Sequence, residues 1–350
     1  MMQTETTNGI QVPFRHAEQI RKYLTDQDLL RKDLEVQRTP THIIFPVKEN
    51  TTIIEFPGVK KINKTFTRQQ QKPTNYKQLL TKIPEPLRNQ LPTSYDTIGD
   101  IILIKLPKPL HPHQKQIGDA LLQTNTHVHV ICTADPVKGE LRTRRLTIIA
   151  GEHRTQTTHT EYGLHFNLDI QKTYFSPRLA TERKRITTLI QPGETIVDLF
   201  TGVAPFPIMI ARYAQPKIIY AIDKNKDAIH YAKQNIRQNQ VLDKIEIIHA
   251  DAKTIPTLLQ KNHVTADRII MNLPFACYQF LPQAFQIASK TCTIHYYDIL
   301  TQDETPERIK QIKQQAKKQN TTLTHLTVNP LKTYAPREFY TSIDITAQKK

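Results

Sequence analysis

A chain of 350 residues with 48 Lys and Arg against 32 Asp and Glu, a formal charge of +16, is too long for one simple core and is suited to meet a polyanion. No run of about 18 apolar residues occurs, so no membrane span is expected, and the polar start MMQTETTNGIQVPF has no apolar signal core; nucleic acid is the expected partner and the cytoplasm the expected setting. Three scattered cysteines, Cys132, Cys277 and Cys292, stand in no CxxC pairing and exclude a disulfide framework and a zinc knuckle, and the 14 histidines bring no ligand cluster.

In chain order, residues 17–38 (AEQIRKYLTDQDLLRKDLEVQR) place Ile20, Tyr23, Leu24, Leu29, Leu30 and Leu34 at helical spacing, which predicts one or two amphipathic helices. HIIFPV and TTIIEF read as two strands about a polar turn, giving a small α+β domain over 1–65. The basic stretch KTFTRQQQKPTN has no aliphatic residue and predicts a linker, set at 66–75. A second α+β domain follows over 76–177. It opens with YKQLLTKIPEPLRNQLP, where prolines break any long helix. The apolar run between Gly99 and Pro107 reads as a strand, KQIGDALLQ as a helix, and THVHVICT, RTRRLTIIAG and LHFNLDI as strands. Lys138, Arg142, Arg144 and Arg145 cluster on or beside one of these strands, and alternation would put Arg142 and Arg144 on one face and Arg145 on the other. Such a cluster serves either as a solvated, protected edge or as a contact to RNA phosphate or base.

The last domain spans 178–350. Ser176-Pro177 reads as a helix start, a capping hydroxyl followed by proline in the first turn. Leu179, Ile186, Leu189 and Ile190 form the apolar stripe of that helix, with Arg178, Glu182 and Arg185 on other faces, and Pro192-Gly193 ends it just before the next strand. Strands IVDL, IIYAI, IEIIHA, RIIMNL and IHYYDI then alternate with helices PFPIMIARYA, NKDAIHYAKQNIRQNQ, FLPQAFQIASK and TPERIKQIKQQAKKQ, which predicts a mostly parallel sheet. LTHLTVNPLKTYAPREFYTSIDIT closes the chain as an antiparallel hairpin on the sheet edge. The fold class is therefore α/β: a Rossmann-like domain preceded by two smaller α+β domains.

The first strand of that sheet runs into ETIVDLFTGVAPF. Its turn carries only Gly202, followed by Val203-Ala204-Pro205, where a GxGxxG fingerprint would let pyrophosphate approach. This argues against NAD and leaves room for a ligand without phosphates, such as S-adenosylmethionine. Asp223, at the next strand end, suits ribose hydroxyls, and Asp251-Ala252 could border an adenine. One such aspartate alone reads as a cap or turn residue, but the ordered series points to a ligand. Asn272-Leu273-Pro274-Phe275 after the fourth strand either punctuates a loop or offers carbonyls to an N–H bearing base, with an aromatic for stacking. Methylating a ring nitrogen that still carries its proton, as N1 of guanine does, needs a base and a positive group opposite the neighbouring carbonyl oxygen. Glu182 and Arg142 are the candidates.

YFSPRLATER, VDLFTGVAPF, YAID, HADA and MNLP, in this order and spacing, resemble the archaeal and eukaryotic tRNA (guanine-N1)-methyltransferases that act at position 37, beside the anticodon. The resemblance covers essentially the whole chain, LRKDLEVQRTPTHIIFPV included. It implies a first domain that checks the tRNA outer corner, a second that holds the anticodon arm, and a class I methyltransferase domain that binds S-adenosylmethionine. It also implies Glu182 as general base, and Arg142 as stabiliser of the guanine oxygen with Arg144 and Arg145 near enough to compete. The resemblance further implies Tyr174, Asn272 and Pro274 at the target base, and Phe200, Gly202, Val203, Asp223, Asp251, Ala252 and Asn272 around the cofactor. Ala204 stands where many members have a second glycine. A dependence on Mg2+ is implied by the resemblance alone, and a monomer is expected. The rival readings are a wyosine-pathway tRNA methyltransferase or aminocarboxypropyltransferase at the same tRNA position, the latter lacking the YFSPRL…E and NLP pairing, and a tRNA-binding protein with an inactive pocket, against which intact Glu182, Asn272 and Asp223 count.

Overall fold

The computed structural model describes residues 3–349 except 53–55, 69–72, 74, 136–138, 140 and 142. The chain divides into two compact units, Met1–Asn75 and Tyr76–Lys350.

The first unit holds β1 (Thr4–Pro13), α1 (Ala17–Asp26), β2 (Gln37–Arg38), β3 (His42–Pro46) and β4 (Lys60–Thr67), the strands ordered β2-β3-β1-β4 in an antiparallel sheet. Ile20 and Leu24 of α1 pack on Ile10, Val12 and Phe45 of the sheet. One helix forms, within the one or two expected. Asp28 turns into the left-handed region at φ 52, after which Leu30 and Leu34 make bridges to Val47 and Arg68 instead of continuing a helical stripe. The linker also begins later than 66, because Phe66 is fully buried against Leu34 and Ile44 and sits opposite Glu5 within β4. Residues 53–55 of the expected TTIIEF strand, and 69–72 and 74 of the linker, lie outside the described residues.

The second unit opens with α2 (Glu85–Arg88), β5 (Asp96–Ile98), β6 (Ile101–Ile104), α3 (Gln114–Thr124), β7 (Val130–Ala134) and β8 (Leu146–Gly151). The strands form a sheet in sequence order, and Ile117 and Leu121 of α3 cover Ile102, Ile131 and Ile149. The turn between β5 and β6 needs Gly99: at φ +56, a Cβ there would lie 2.0 Å from the Thr157 hydroxyl oxygen. Because β8 starts at Leu146, Arg144 and Arg145 precede it and strand alternation does not sort them onto faces; Lys138 and Arg142 lie outside the described residues. LHFNLDI is half of a hairpin, β9 (Gln156–Glu161) with β10 (Leu164–Asp169).

The remainder runs α4 (Ala180–Thr188), β11 (Thr195–Asp198), α5 (Pro205–Tyr213), β12 (Ile218–Asp223), α6 (Lys226–Gln238), β13 (Ile245–His249), α7 (Ile255–Lys261), β14 (Ala266–Met271), α8 (Leu281–Ile287), β15 (Ala288–Leu300), α9 (Glu304–Lys318), β16 (Thr321–Ala335) and β17 (Glu338–Lys349). Pro177 does open the helical stretch that becomes α4, but the Ser176 side chain makes no cap; its hydroxyl instead accepts from Lys332 Nζ at 3.2 Å. The sheet order is β13-β12-β11-β14-β15-β17-β16, parallel through β15 and antiparallel at β17 and β16, which is the α/β architecture expected with its closing hairpin. Strand alternation feeds both layers of core: Ile196 joins Ile208, Ala232 and Ile236 on one side, and its neighbour Val197 joins Leu259, Leu281 and Phe285 on the other. The strand order reverses between β11 and β14, so their carboxyl ends part and leave a crevice at the point where α/β domains bind ligands.

Candidate active site

A cleft of about 920 Å³, counted to its open mouth, lies at these strand ends and is lined by Tyr174, Phe200, Gly202, Asp223, Asp251, Ala252 and Asn272 among others. Gly202 takes φ +57, and its N–H donates to Asp223 Oδ2 at 2.7 Å, while Asn225 N–H donates to Oδ1 at 2.8 Å. The end of β12 thereby pins the turn after β11. Burial pushes the Asp223 carboxyl up against these backbone bonds. Asp251 caps the turn after β13, accepting from Lys253 N–H at 2.9 Å and Lys224 Nζ at 3.1 Å; the Lys253 bond first, then Lys224, hold its carboxyl low. Ala204 shares the left-handed backbone, φ 65, and that is the physical reason a glycine would be at ease there. Val203 is fully buried and faces the core, not the cleft.

Asp198 lies beneath this turn, 1% exposed. Phe200 N–H donates to its Oδ1 at 3.2 Å and Oδ2 has no partner, and burial raises its pKa to about 7. Carboxylates at successive strand ends repel a polyphosphate and suit a ligand that brings hydroxyl donors and positive charge.

On the other side of the cleft, Asn272 Oδ1 accepts the Tyr340 hydroxyl, and Pro274 is buried and does not line the cleft. Phe275 adopts φ 71, held by its N–H to Asp298 Oδ1 at 2.9 Å, and stands 55% exposed, edge-on to Tyr334 at 5.7 Å. Glu182 is buried and does not line the cleft: Arg185 Nε and Nη2 each donate to it at 2.7 Å and Tyr297 OH at 2.6 Å. The residue of α4 that does line the cleft is Arg183, as it must be when consecutive helix positions diverge by about 100°. Tyr297 and Tyr340, whose rings are 6.2 Å apart, connect Glu182 to Asn272. Arg142 lies outside the described residues, although its neighbour Leu141 lines the cleft. Among the described residues no group of three His, Cys, Asp or Glu is placed to hold a metal ion.

Sequence reasoning missed the partners: Arg185 and Tyr297 on Glu182, Tyr340 on Asn272, Asp298 under Phe275, and the buried pair of Arg183 with Glu161. One signal was available, since Tyr296 and Tyr297 in a strand covered on both faces must each find a hydrogen-bond partner.

Family models describe these parts separately: a TRM5/TYW2 methyltransferase domain over 157–324, a TYW2 N-terminal domain over 76–155, and a tRNA methyltransferase 5 N-terminal domain over 9–55. The chain is 34% identical over 342 residues to the tRNA (guanine(37)-N(1))-methyltransferase Trm5b of Pyrococcus abyssi, covering 97% of this chain and 98% of that one. The tRNA(Phe) (4-demethylwyosine(37)-C(7)) aminocarboxypropyltransferase of Methanocaldococcus jannaschii is 32% identical over 251 residues, 71% of this chain and 96% of that protein. The solved complex of aTrm5 and tRNALeu superposes with a TM-score of 0.72 at 28% identity, covering 97% of this chain and 99% of that one. Sheet order, strand-end cleft and near end-to-end similarity agree, and the chain belongs to the TRM5/TYW2 methyltransferase family.

Proposed function

We infer that this protein is a tRNA (guanine(37)-N1)-methyltransferase, transferring a methyl group from S-adenosylmethionine to N1 of guanosine 37. The observation that carries this reading is similarity to the Pyrococcus abyssi methyltransferase over 97% of the chain, first unit included, whereas the aminocarboxypropyltransferase matches 71%. When bound, S-adenosylmethionine supplies an electrophilic methyl group. Asp223 receives the ribose hydroxyls, Phe200, Gly202 and Val203 form the turn beneath the cofactor, and Asp251 and Ala252 border its adenine. Tyr174, Asn272 and Pro274 hold the target guanine, Glu182 takes the N1 proton, and Arg142 balances charge on the guanine oxygen, with Arg144 and Arg145 the competing candidates. Residues 1–65 meet the tRNA outer corner and 76–177 the anticodon arm, to which the charge of +16 is suited.

The test is incubation with labelled S-adenosylmethionine and unmodified tRNA carrying guanosine or adenosine at position 37, followed by nucleoside mass analysis. The expected result is 1-methylguanosine from the first tRNA alone. An aminocarboxypropyl product, or none, overturns the reading.

A further inference from the structure

Arg185 divides its guanidinium between two carboxylates. Besides its two bonds to Glu182, its Nη1 donates to Asp344 Oδ2 at 2.7 Å. Asp344 in turn accepts from Ser342 Oγ at 3.0 Å and faces His295 Nδ1 at 2.7 Å. His295 is fully buried, and its other nitrogen, Nε2, meets Arg268 Nη1 at 2.8 Å. A guanidinium can only donate, so Nε2 carries the lone pair and the ring proton sits on Nδ1, pointing at Asp344. The imidazole is neutral, in keeping with burial, which pushes its pKa down more than Asp344 pulls it up. Burial pushes Asp344 up, but the bonds from His295 and Arg185 outweigh it and hold the carboxyl well below the usual carboxylate range. Asp344 therefore remains charged, and Arg185 is one cation facing two anions.

That arrangement matters for a carboxylate that must take up a proton. Among the described residues, the titratable and charged groups around Glu182 are Arg185 on its own helix, Tyr297 and His295 on β15, Tyr340 and Asp344 on β17 and, behind His295, Arg268 on β14, itself paired with Glu194. If Arg185 served Glu182 alone, protonating Glu182 would strand a half-buried guanidinium. With Asp344 present, the same event takes the trio from one net negative charge to zero and leaves a matched pair.

We propose that Arg185 and Asp344 are positioning residues for the proton transfer: Arg185, with Tyr297, orients the Glu182 carboxyl through three hydrogen bonds, and Asp344 balances the guanidinium once Glu182 has accepted the guanine proton. The N1–H bond breaks with its proton passing to a Glu182 oxygen. The pair left on N1 forms the bond to the methyl carbon, while the methyl–sulfur pair stays on sulfur. This rests on Glu182 being the base.

Single-turnover methylation of guanosine-37 tRNA, with enzyme in saturating excess over tRNA and saturating S-adenosylmethionine, from pH ~5 to ~9, reads the device. Arg185→Gln should move the acid limb of the rate profile up by ~1 unit, about tenfold in rate at a given pH on that limb, and Arg185→Lys should restore most of it. Asp344→Asn should move the limb the opposite way and lower the plateau, because the whole guanidinium charge then falls on Glu182 and makes it a weaker base. Tyr297→Phe should act like Arg185→Gln with a smaller shift, and serves if Arg185→Gln does not fold. A purely structural role would lower Tm and leave the limbs in place, or move both variants the same way; either result overturns the proposal. Glu182→Gln separates the two levels: an unchanged plateau sinks the base itself, whereas a lost plateau without opposed limbs sinks only Arg185 and Asp344.

Discussion

Replacing Arg183 with methionine tests how the wall of the cleft is held. Arg183 and Glu161 have side chains only 2% and 3% exposed, and Arg183 Nε and Nη2 each approach both Glu161 oxygens, at 3.2 and 3.1 Å and at 2.8 and 2.8 Å. Nη2 also donates to the Ser176 carbonyl at 3.0 Å, and the guanidinium lies 5.1 Å from the Phe175 ring centroid. The pair thus ties the β9 strand to α4 and to the Tyr174–Ser176 segment that lines the cleft. Removing one partner of a buried pair strands the other charge, so Arg183→Met should cost ~3–5 kcal/mol. Removing both charges costs far less: Glu161→Met/Arg183→Met should lie within ~2 kcal/mol of the parent, since the desolvation penalty disappears with the attraction. Urea unfolding of parent, both single variants and the double variant gives the cycle, with cofactor affinity measured alongside. A single-variant loss under ~1 kcal/mol would refute the reasoning, because it would mean that water or another side chain takes up the exposed charge.

Asp198 predicts a pH dependence of stability. Its pKa is raised from 3.8 to about 7 by burial, so between those values the folded chain holds a proton that the unfolded chain has released. The group's contribution is then present at low pH and lost as pH rises through about 7, at roughly 1.4 kcal/mol per unit. Stability of the cofactor-free protein should fall from pH ~5 to ~7 more steeply than that of Asp198→Asn, and parallel slopes in urea melts would reject the assignment. The glycines supply a second contrast. Gly99→Ala meets Thr157 Oγ1 at 2.0 Å and the Thr158 carbonyl oxygen at 2.6 Å, whereas Gly202→Ala meets nothing nearer than the Tyr174 carbonyl oxygen at 3.6 Å. Both pay left-handed strain of ~1 kcal/mol, so Gly99→Ala should lose clearly more stability, ~3 kcal/mol, and equal losses would contradict the packing.

The catalytic sheet was legible because its strands are short apolar runs closed by Asp or Asn, and its helices carry a 3.6-residue stripe, as Ala228, Ile229, Ala232 and Ile236 do on α6. The first unit was less so. β1, TETTNGIQVP, hides its alternation among threonines, and in the second unit β9, QTTHTE, is polar at every position, with alternate residues exposed. Leu29, Leu30 and Leu34 keep helical spacing by coincidence. Backbone geometry at Asp28, which no periodicity reports, ends the helix, and Leu30 and Leu34 go into bridges.

The site divides along the same physical line. The cleft-lining residues near strand ends, Phe200, Gly202, Asp223, Asp251 and Asn272, come together because the parallel sheet brings successive strand ends side by side, and their order in the chain reports that directly. Residues that act through a partner do not announce it. Glu182 and Arg183 are adjacent in sequence, yet one turns toward Tyr297, Arg185 and Asp344 on the side of β15 and β17, and the other toward Glu161 and the cleft. The roughly 100° between consecutive helix positions sets Arg183 on the cleft and Glu182 on the tyrosine side. The base assigned to Glu182 must therefore work from the side of the two buried tyrosines. Asn272, joined to the same tyrosines through Tyr340, is the cleft residue nearest along that chain of contacts. Glu182 and Asn272 are thus joined by the two tyrosines, while Arg183, paired with Glu161, forms part of the cleft wall.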